Sequence, residues 1–333
     1  QAFDQMMRWR PDEGPDKRLL IVTVTPEDIK YQKEMGWERG AKSLSDQAIV
    51  KVLDKLNNHK PVVIGLDIFR PFSAKDENLK TQLVQNKSLV AVCKIKEEED
   101  NRNSTGIEPP PEIQDKKRIG FADLPQDSGG VIRRQLLGMA IPENSPCSSY
   151  SFSLRVAIRY LNYLKEEGIQ NIKGEYDQGN LKINEVLFSK LDKDAGGYHL
   201  PEKKVLGNQI LLNYRSSQKI AETITLKELL DGSLDSKLAD LLKKKIVLIG
   251  TDAAEVGYKD MHLTPYNKEI PGVIIHAHMI SQILSAVLDG RTLLWWWPQA
   301  GWLPLVPSIL GFFLTGIAMI VYYQTIIIKS RKY

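Results

Sequence analysis

The sequence predicts an α/β protein: a mixed, mainly parallel sheet flanked by helices, Rossmann-like and three-layered, followed by a transmembrane helix. Three observations carry this. Short runs rich in Leu, Ile and Val alternate with stretches whose apolar residues recur at helical spacing. Two of those runs with a helix between them, within residues 18–69, make a βαβ unit, which requires a parallel pair and a right-handed crossover. From Thr292 to Ile328 there is no Asp, Glu, Lys or Arg, a run longer than the roughly 20 residues that span a bilayer.

Taken in order, residues 1–17 are polar and punctuated by Pro11, Gly14 and Pro15, and read as a juxtamembrane stalk. Residues 18–25 (RLLIVTVT), bounded by Pro26, read as a buried strand. Residues 45–59 place Ala48, Ile49, Val52, Leu53 and Leu56 on one helical face, with Ser43 or Ser45 as N-cap. Residues 61–69 (PVVIGLDIF) form a second buried strand, 77–85 a short helix and 88–95 (SLVAVCKI) a third strand. The charged, then Pro-rich stretch 97–114 is a long surface loop. Residues 119–124 and 131–139 are short strands about a turn at Asp127-Ser128-Gly129-Gly130, a hairpin. Residues 150–164 are an amphipathic helix, whereas the polar stretch 170–208 carries no pattern that assigns it.

Residues 209–214 (QILLNY) are a strand, and 225–231 a short helix ended by Gly232. Residues 245–251 (KIVLIGT) give the clearest buried strand of all. A loop with His262, Thr264 and Pro265 leads to Gly272, and 273–288 form a last helix closed by Asp289 and Gly290. In the tail, Trp295, Trp296, Trp297 and Trp302 are the amphipathic rings that sit at headgroup level, and Lys329, Arg331 and Lys332 are the cluster the positive-inside rule puts in the cytoplasm. The organisation expected is a stalk (1–17), an extracytoplasmic or periplasmic body (18–291), an aromatic interface segment (292–300), an inner-membrane helix (301–328) and a cytoplasmic basic end (329–333). Gly311 and Thr315 are a small-residue pair that would allow a homodimer through the membrane helix. A body outside the cytoplasm with no export signal at Gln1 reads as a piece of something longer.

With 45 Lys and Arg against 41 Asp and Glu the net charge is only +4. No basic stripe with interleaved aromatics is present, which argues against nucleic acid as a partner. Runs such as Lys243-Lys244-Lys245 read as solvated loops or helix ends. The two cysteines, Cys93 and Cys147, make no zinc spacing. They read as separate small apolar residues, although an oxidising compartment would permit a bridge.

Chemistry is sparse. There is no Gly-x-Ser-x-Gly elbow, no GxGxxG after a strand and no Walker sequence, so no catalytic residue, cofactor or metal is assigned and an enzyme is not supported. Ligands of open α/β sheets bind beyond the carboxyl ends of the strands. That position holds Thr25, Asp67 with Arg70, Asn213 with Arg215, and Thr251 with Asp252; Asp260, His262 and Thr264 follow in a loop, and His276 and His278 lie on the last helix. The ligand-binding candidates are Asp67, Arg70, Asn213, Arg215, Asp252, Asp260, Thr264 and His276. His276 and His278, two apart, point to different helix faces and are poor metal geometry.

These residues also resemble a known family. DQMMR at 4–8, PDEG at 11–14, LLIVTVT, GLDIF and GGVIRR at 129–134 run in order through the chain, followed by YSFSLRVAIRYL at 150–161, Gly196-Gly197-Tyr198 and ILLNYRS at 210–216. KKIVLIGTDAAEVGYKDMHLTP at 244–265 and PGVIIHAHMISQIL at 271–284 complete the set. The chain is similar to the CHASE2 extracytoplasmic sensory domain of bacterial, cyanobacterial-type membrane receptors. The resemblance implies a ligand-sensing ectodomain flanked by membrane helices and joined to a cytoplasmic output module, with no catalytic residue to carry over. Segments matching Asp260, Thr264-Pro265 and His276 add weight to those positions; at His278 the family has Asn, so no role is carried there. The reading is a sensor for a small-molecule or protein ligand, signalling across the lipid bilayer. The alternative is an assembly or dimerisation ectodomain without a small-molecule ligand.

Overall fold

The computed structural model describes residues 2–38, 43–95, 106–177, 179–217, 219–252, 260–295 and 310–320. They fall into two units. One body comprises Gln1–Leu191 with Leu206–Leu294, and a second unit comprises Asp192–Val205 with Trp295–Tyr333.

In the body, α1 (Ala2–Arg8) precedes β1 (Leu19–Val24), whose six residues are all buried. Thr25 ends that strand and starts α2 (Pro26–Glu34). Its hydroxyl accepts from the Asp28 amide and the Asp28 carboxylate accepts from the Thr25 amide, while Pro26 occupies a first-turn position that has no amide to lose. Ser45 caps α3 (Asp46–His59) through the Ala48 amide. Then come β2 (Val63–Asp67), α4 (Glu77–Gln85), β3 (Leu89–Cys93), β4 (Ile119–Phe121), β5 (Arg134–Gly138) and α5 (Phe152–Glu166). The stretch that carried no pattern holds a small antiparallel sheet, β6 (Gly174–Asp177), β7 (Asn180–Ile183) and β8 (Val186–Phe188). After β9 (Asn208–Leu211) and β10 (Glu222–Thr225) follow α6 (Leu226–Leu230) and α7 (Asp235–Leu242). The rest is β11 (Ile246–Thr251), an antiparallel hairpin of β12 (Met261–Leu263) and β13 (Glu269–Pro271), and α8 (Gly272–Leu288).

Six strands form one parallel sheet in the order β10-β1-β11-β2-β3-β4. The expected β1–α3–β2 unit is parallel, but its strands are not neighbours, because β11 enters between them. Alternation along the strands sends Leu20, Val22 and Val24 to a layer of α3, α4, α6 and α7, and Leu19 and Ile21 to a layer of α5 and α8. Two glycines set the spacing of the second layer. A Cβ on Gly120 would lie 2.4 Å from the Phe152 Cα, and one on Gly250 would lie 2.5 Å from the Val273 Cβ. A smaller cluster of Ile132, Leu212, Tyr214, Ile275 and Met279 packs on α8, with the Tyr214 hydroxyl donating to the Ile132 carbonyl at 3.0 Å.

Three expectations need correction. The segments at 119–124 and 131–139 do not form a hairpin: β4 pairs with β3 in the large sheet, β5 pairs antiparallel with β9, and only Gln126↔Ile132 bridges the turn. Cys93 and Cys147 are joined in a disulfide, Cα atoms 5.7 Å apart. The return of the chain brings Cys147 there, since Tyr150 bridges Gly138 and its carbonyl accepts from the Phe121 amide; nothing in a spacing of 54 residues signals it. The segment expected as a stalk is bonded into the body. Arg133 donates to both Asp4 carboxylate oxygens at 2.7 and 2.8 Å, and Met7 is buried.

In the second unit, residues 310–320 are helical, with Phe312, Phe313, Leu314, Ile317 and Met319 exposed. Among the described residues no helix is long and apolar enough to cross a membrane. Trp296, Trp297, Trp302, most of 301–328 and all of 329–333 lie outside the described residues, as does most of the charged part of the 97–114 loop.

Closing a loop of 54 residues restricts the unfolded chain by an amount worth about 4 kcal/mol on the chain-entropy relation. Reduction is therefore expected to lower the unfolding free energy by up to that amount in guanidinium titrations. Gly120→Ala is expected to cost at least about 2 kcal/mol, because the atom it would meet is backbone and cannot step aside.

Candidate functional site

At the carboxyl edge of the sheet the register places Val24 opposite Thr251 and Gly250 opposite Asp67. The β12–β13 hairpin folds back to bring Asp260 to the start of α8, where the Gly272 amide donates to the Asp260 carbonyl at 2.9 Å. Both Asp260 carboxylate oxygens would lie 2.6 Å from a Cβ at position 272, so the carboxylate fills the space that only glycine leaves. No side chain caps that helix at Pro271, and a negative group beside its first turn answers the positive end of the helix dipole.

Three more groups converge there. His262 Nε2 lies 3.0 Å from Asp260 Oδ1. Burial, then the charge of Asp260, holds the Asp67 carboxyl well above the usual carboxylate range. His276, in the second turn of α8, is 2% exposed and packs edge-on to Phe152 with ring centroids 5.2 Å apart. Burial pushes its imidazole down to about 4, against the pull of Asp260 and with the push of His262. Its Nδ1 is buried and has no hydrogen-bond partner among the described residues. Thr264 is buried and closes the hairpin, its hydroxyl donating to the Lys268 carbonyl at 2.9 Å. Asp252 follows β11 with its amide on the Val24 carbonyl at 3.0 Å; residues 253–259 beyond it lie outside the described residues. Among the described residues no group of three or more His, Cys, Asp or Glu is placed to hold a metal ion.

Three candidates have other work. Arg70 is buried and donates to Asp46 Oδ1 at 2.6 Å, while the other Asp46 oxygen accepts from the Lys75 amide at 2.6 Å. That pair fastens the chain after β2 to the start of α3. Asn213 and Arg215 lie along the outer side of α8. Arg215 Nε donates to the Gly14 carbonyl at 2.7 Å, and its amide donates to His278 Nδ1 at 3.2 Å. His278, edge-on to Tyr214, thus serves packing, with its imidazole pushed by burial to about 3.

Asn213 belongs to a clamp that sequence reasoning missed. Arg291 donates to Glu13 Oε1 at 2.7 Å, to Glu13 Oε2 at 3.0 Å and to Asn213 Oδ1 at 3.1 Å. Arg10 donates to Asn213 Oδ1 at 2.6 Å and to Glu13 Oε2 at 2.7 Å. Burial works to raise the Glu13 carboxyl, but hydrogen bonds from Arg291 and the Ser216 amide, with the Arg291 and Arg10 charges, outweigh it and hold it below its ordinary value. A second tie runs beside it: Arg18 bonds Asp16 and Asp289, each at 2.8 Å, and Ser281 donates to Asp16 at 2.7 Å. The segment leading into β1 is thereby locked to the segment leaving α8. Only the Arg10-x-x-Glu13 spacing was local enough to notice; Arg291 is 278 residues from Glu13.

The fold keeps His276 neutral down to about pH 4, whereas an unfolded imidazole takes up its proton near 6.5. Its contribution is therefore intact above that value and is lost as pH falls from 6.5 toward 4. His278 adds to the same slope, and Asp67, raised rather than lowered, acts in the opposite direction, costing stability as pH rises through its folded value. His276→Gln is expected to make the acid-side loss shallower in urea titrations at several pH values. A His276 ring that titrates near 6.5 by NMR in the folded protein would contradict this.

Among known proteins, the family model that matches is the CHASE2 domain, over residues 1–318. No curated protein and no solved structure matches. The parallel α/β body and the span of that match agree, and the chain belongs to the CHASE2 domain family, a family of extracellular sensory domains.

Proposed function

We propose that this chain is the extracytoplasmic ligand-sensing part of a transmembrane signalling receptor, with Asp67, Asp260, His262 and His276 at its ligand-binding pole. The observation that carries the reading is α8. This helix of 17 residues, about 25 Å long at 1.5 Å per residue, starts at Gly272 beside Asp260 and ends at the Arg18–Asp289 and Arg291–Glu13 ties. It is buried along most of its length, so a shift at one end travels to the other as a rigid displacement rather than dissipating locally. From there the chain continues into the charge-free tail. The helix at 310–320, with large apolar side chains exposed, supports membrane insertion of 301–328, since in water such a surface has nothing to cover it.

The pole is acidic and holds an imidazole nitrogen without a partner among the described residues, so it favours a ligand bearing hydrogen-bond donors or a positive charge. Signalling requires that the ligand prefer one position of α8: a tenfold preference biases the two states by about 1.4 kcal/mol. A thermal-shift screen of amines and other donor-rich metabolites against the full chain in nanodiscs tests this. A ligand is expected that raises Tm and binds about tenfold more weakly to Asp260→Asn. Arg291→Ala should keep that affinity but lose the ligand-dependent change in hydrogen exchange at 289–294. No shift with any compound, together with a constant stable oligomer in light scattering, would replace sensing with assembly as the function.

A further inference from the structure

A pocket of about 370 Å³ opens at the opposite, amino-terminal edge of the sheet. His59 and Lys60 line it from the end of α3, Ser88 from the start of β3, Tyr163 from the last turn of α5, and Lys243 and Lys244 from the turn between α7 and β11. No Asp or Glu lines it. Lys60, Lys243 and Lys244 make no ion pair among the described residues, whereas Lys55 is paired with Asp235.

The backbone there is also unusual. Among the described residues four non-glycine positions have positive φ: Lys60 (49°), Asn184 (51°), Lys244 (57°) and Asn267 (56°). Asparagine visits this region readily, but lysine does so against a Cβ penalty. Lys60 stands at a helix C-cap in the left-handed conformation that glycine usually supplies. Both strained lysines face the same pocket. Strain kept where a glycine would relieve it points to side chains retained for what they bind.

We propose that this pocket is a binding site for a phosphate-bearing anion, held by Lys60, Lys243 and Lys244 with the Ser88 and Tyr163 hydroxyls as further donors. Lysine ammonium groups are compact point charges suited to a tetrahedral oxyanion, and the volume lies at the small end of ligand sites. The anion could come free in solution or as the headgroup of an anionic phospholipid. The same edge of the sheet carries Arg18 ahead of β1 and Asp289 after α8, tied at 2.8 Å. This inference does not depend on the sensing reading, because it concerns the other end of the sheet.

The test uses the full chain in nanodiscs. In phosphatidylcholine discs, inorganic phosphate is expected to raise Tm above chloride at matched ionic strength and to protect Lys60, Lys243 and Lys244 from acetylation read by mass spectrometry. The double variant Lys60→Gly with Lys244→Gly keeps both left-handed turns, so its Tm in chloride should equal or exceed that of the unmodified chain. Its phosphate affinity should fall by about tenfold or more. Protection that needs added phosphate identifies a free anion; protection without phosphate in discs containing phosphatidylglycerol identifies the headgroup. The proposal is overturned if phosphate and chloride give the same Tm while the lysines react equally in both kinds of disc, or if the double variant keeps the full phosphate shift.

Discussion

The body depends on one constraint: β11, supplied from the far end of the chain, must hydrogen-bond to β1 on one side and to β2 on the other. Its residues Ile246 to Gly250 are buried, so its amides and carbonyls can find partners only in those two strands. An unpaired buried peptide group costs on the order of 1–3 kcal/mol, and β11 would have several. The rest of the architecture answers to this insertion. Because β11 lies between β1 and β2, Gly250 meets Val273 of α8 and Gly65 meets Leu248 and Phe152, which draws both covering helices onto the middle of the sheet. The same insertion carries the following hairpin to the carboxyl edge, where Asp260 comes within reach of Asp67.

Charge burial separates structural from functional groups. Arg134 is bonded to Asp127 and Gln209, and Arg118 donates to the carbonyls of Leu83, Val84 and Leu89. Burial holds the Arg118 guanidinium below its ordinary value, and those carbonyls satisfy the donors it cannot show to water. Arg70, with Asp46 and the face of Phe72, is likewise structural, although its buried Nε has no partner among the described residues. His276 differs from these arginines in being held neutral, and its Nδ1 is one of the buried side-chain atoms without a partner among the described residues. A neutral imidazole with an unpaired buried nitrogen, within reach of the Asp260 charge, lies where the open edge of a parallel sheet receives ligands.

The strands and most helices were legible because their signals are local. The run IVLIG has no polar residue on either face, and Ser45 and Thr225 announce helix starts through bonds that span only three residues. The helix α7 went unread because its eight residues bury only Leu238 and Leu242, too few for a periodic pattern. Of the candidate residues, Asp67, Asp260 and His276 converge with His262, whereas Arg70, Asn213 and Arg215 are absorbed into structural bonds. A polar residue after a strand looks the same from sequence whether it faces a crevice or a neighbouring carboxylate.

The sequence by itself determined the class of fold, the positions of the buried strands, the charge-free tail and the family, since each rests on composition or on contacts a few residues long. Tertiary structure alone decided that β11 separates β1 from β2, that Cys93 meets Cys147, and that Glu13 locks to Arg291. Those contacts join residues far apart in the chain, where no periodicity reaches. Which partner each buried group takes follows from which surfaces the packed layers bring together, and from the cost of leaving any buried group without one.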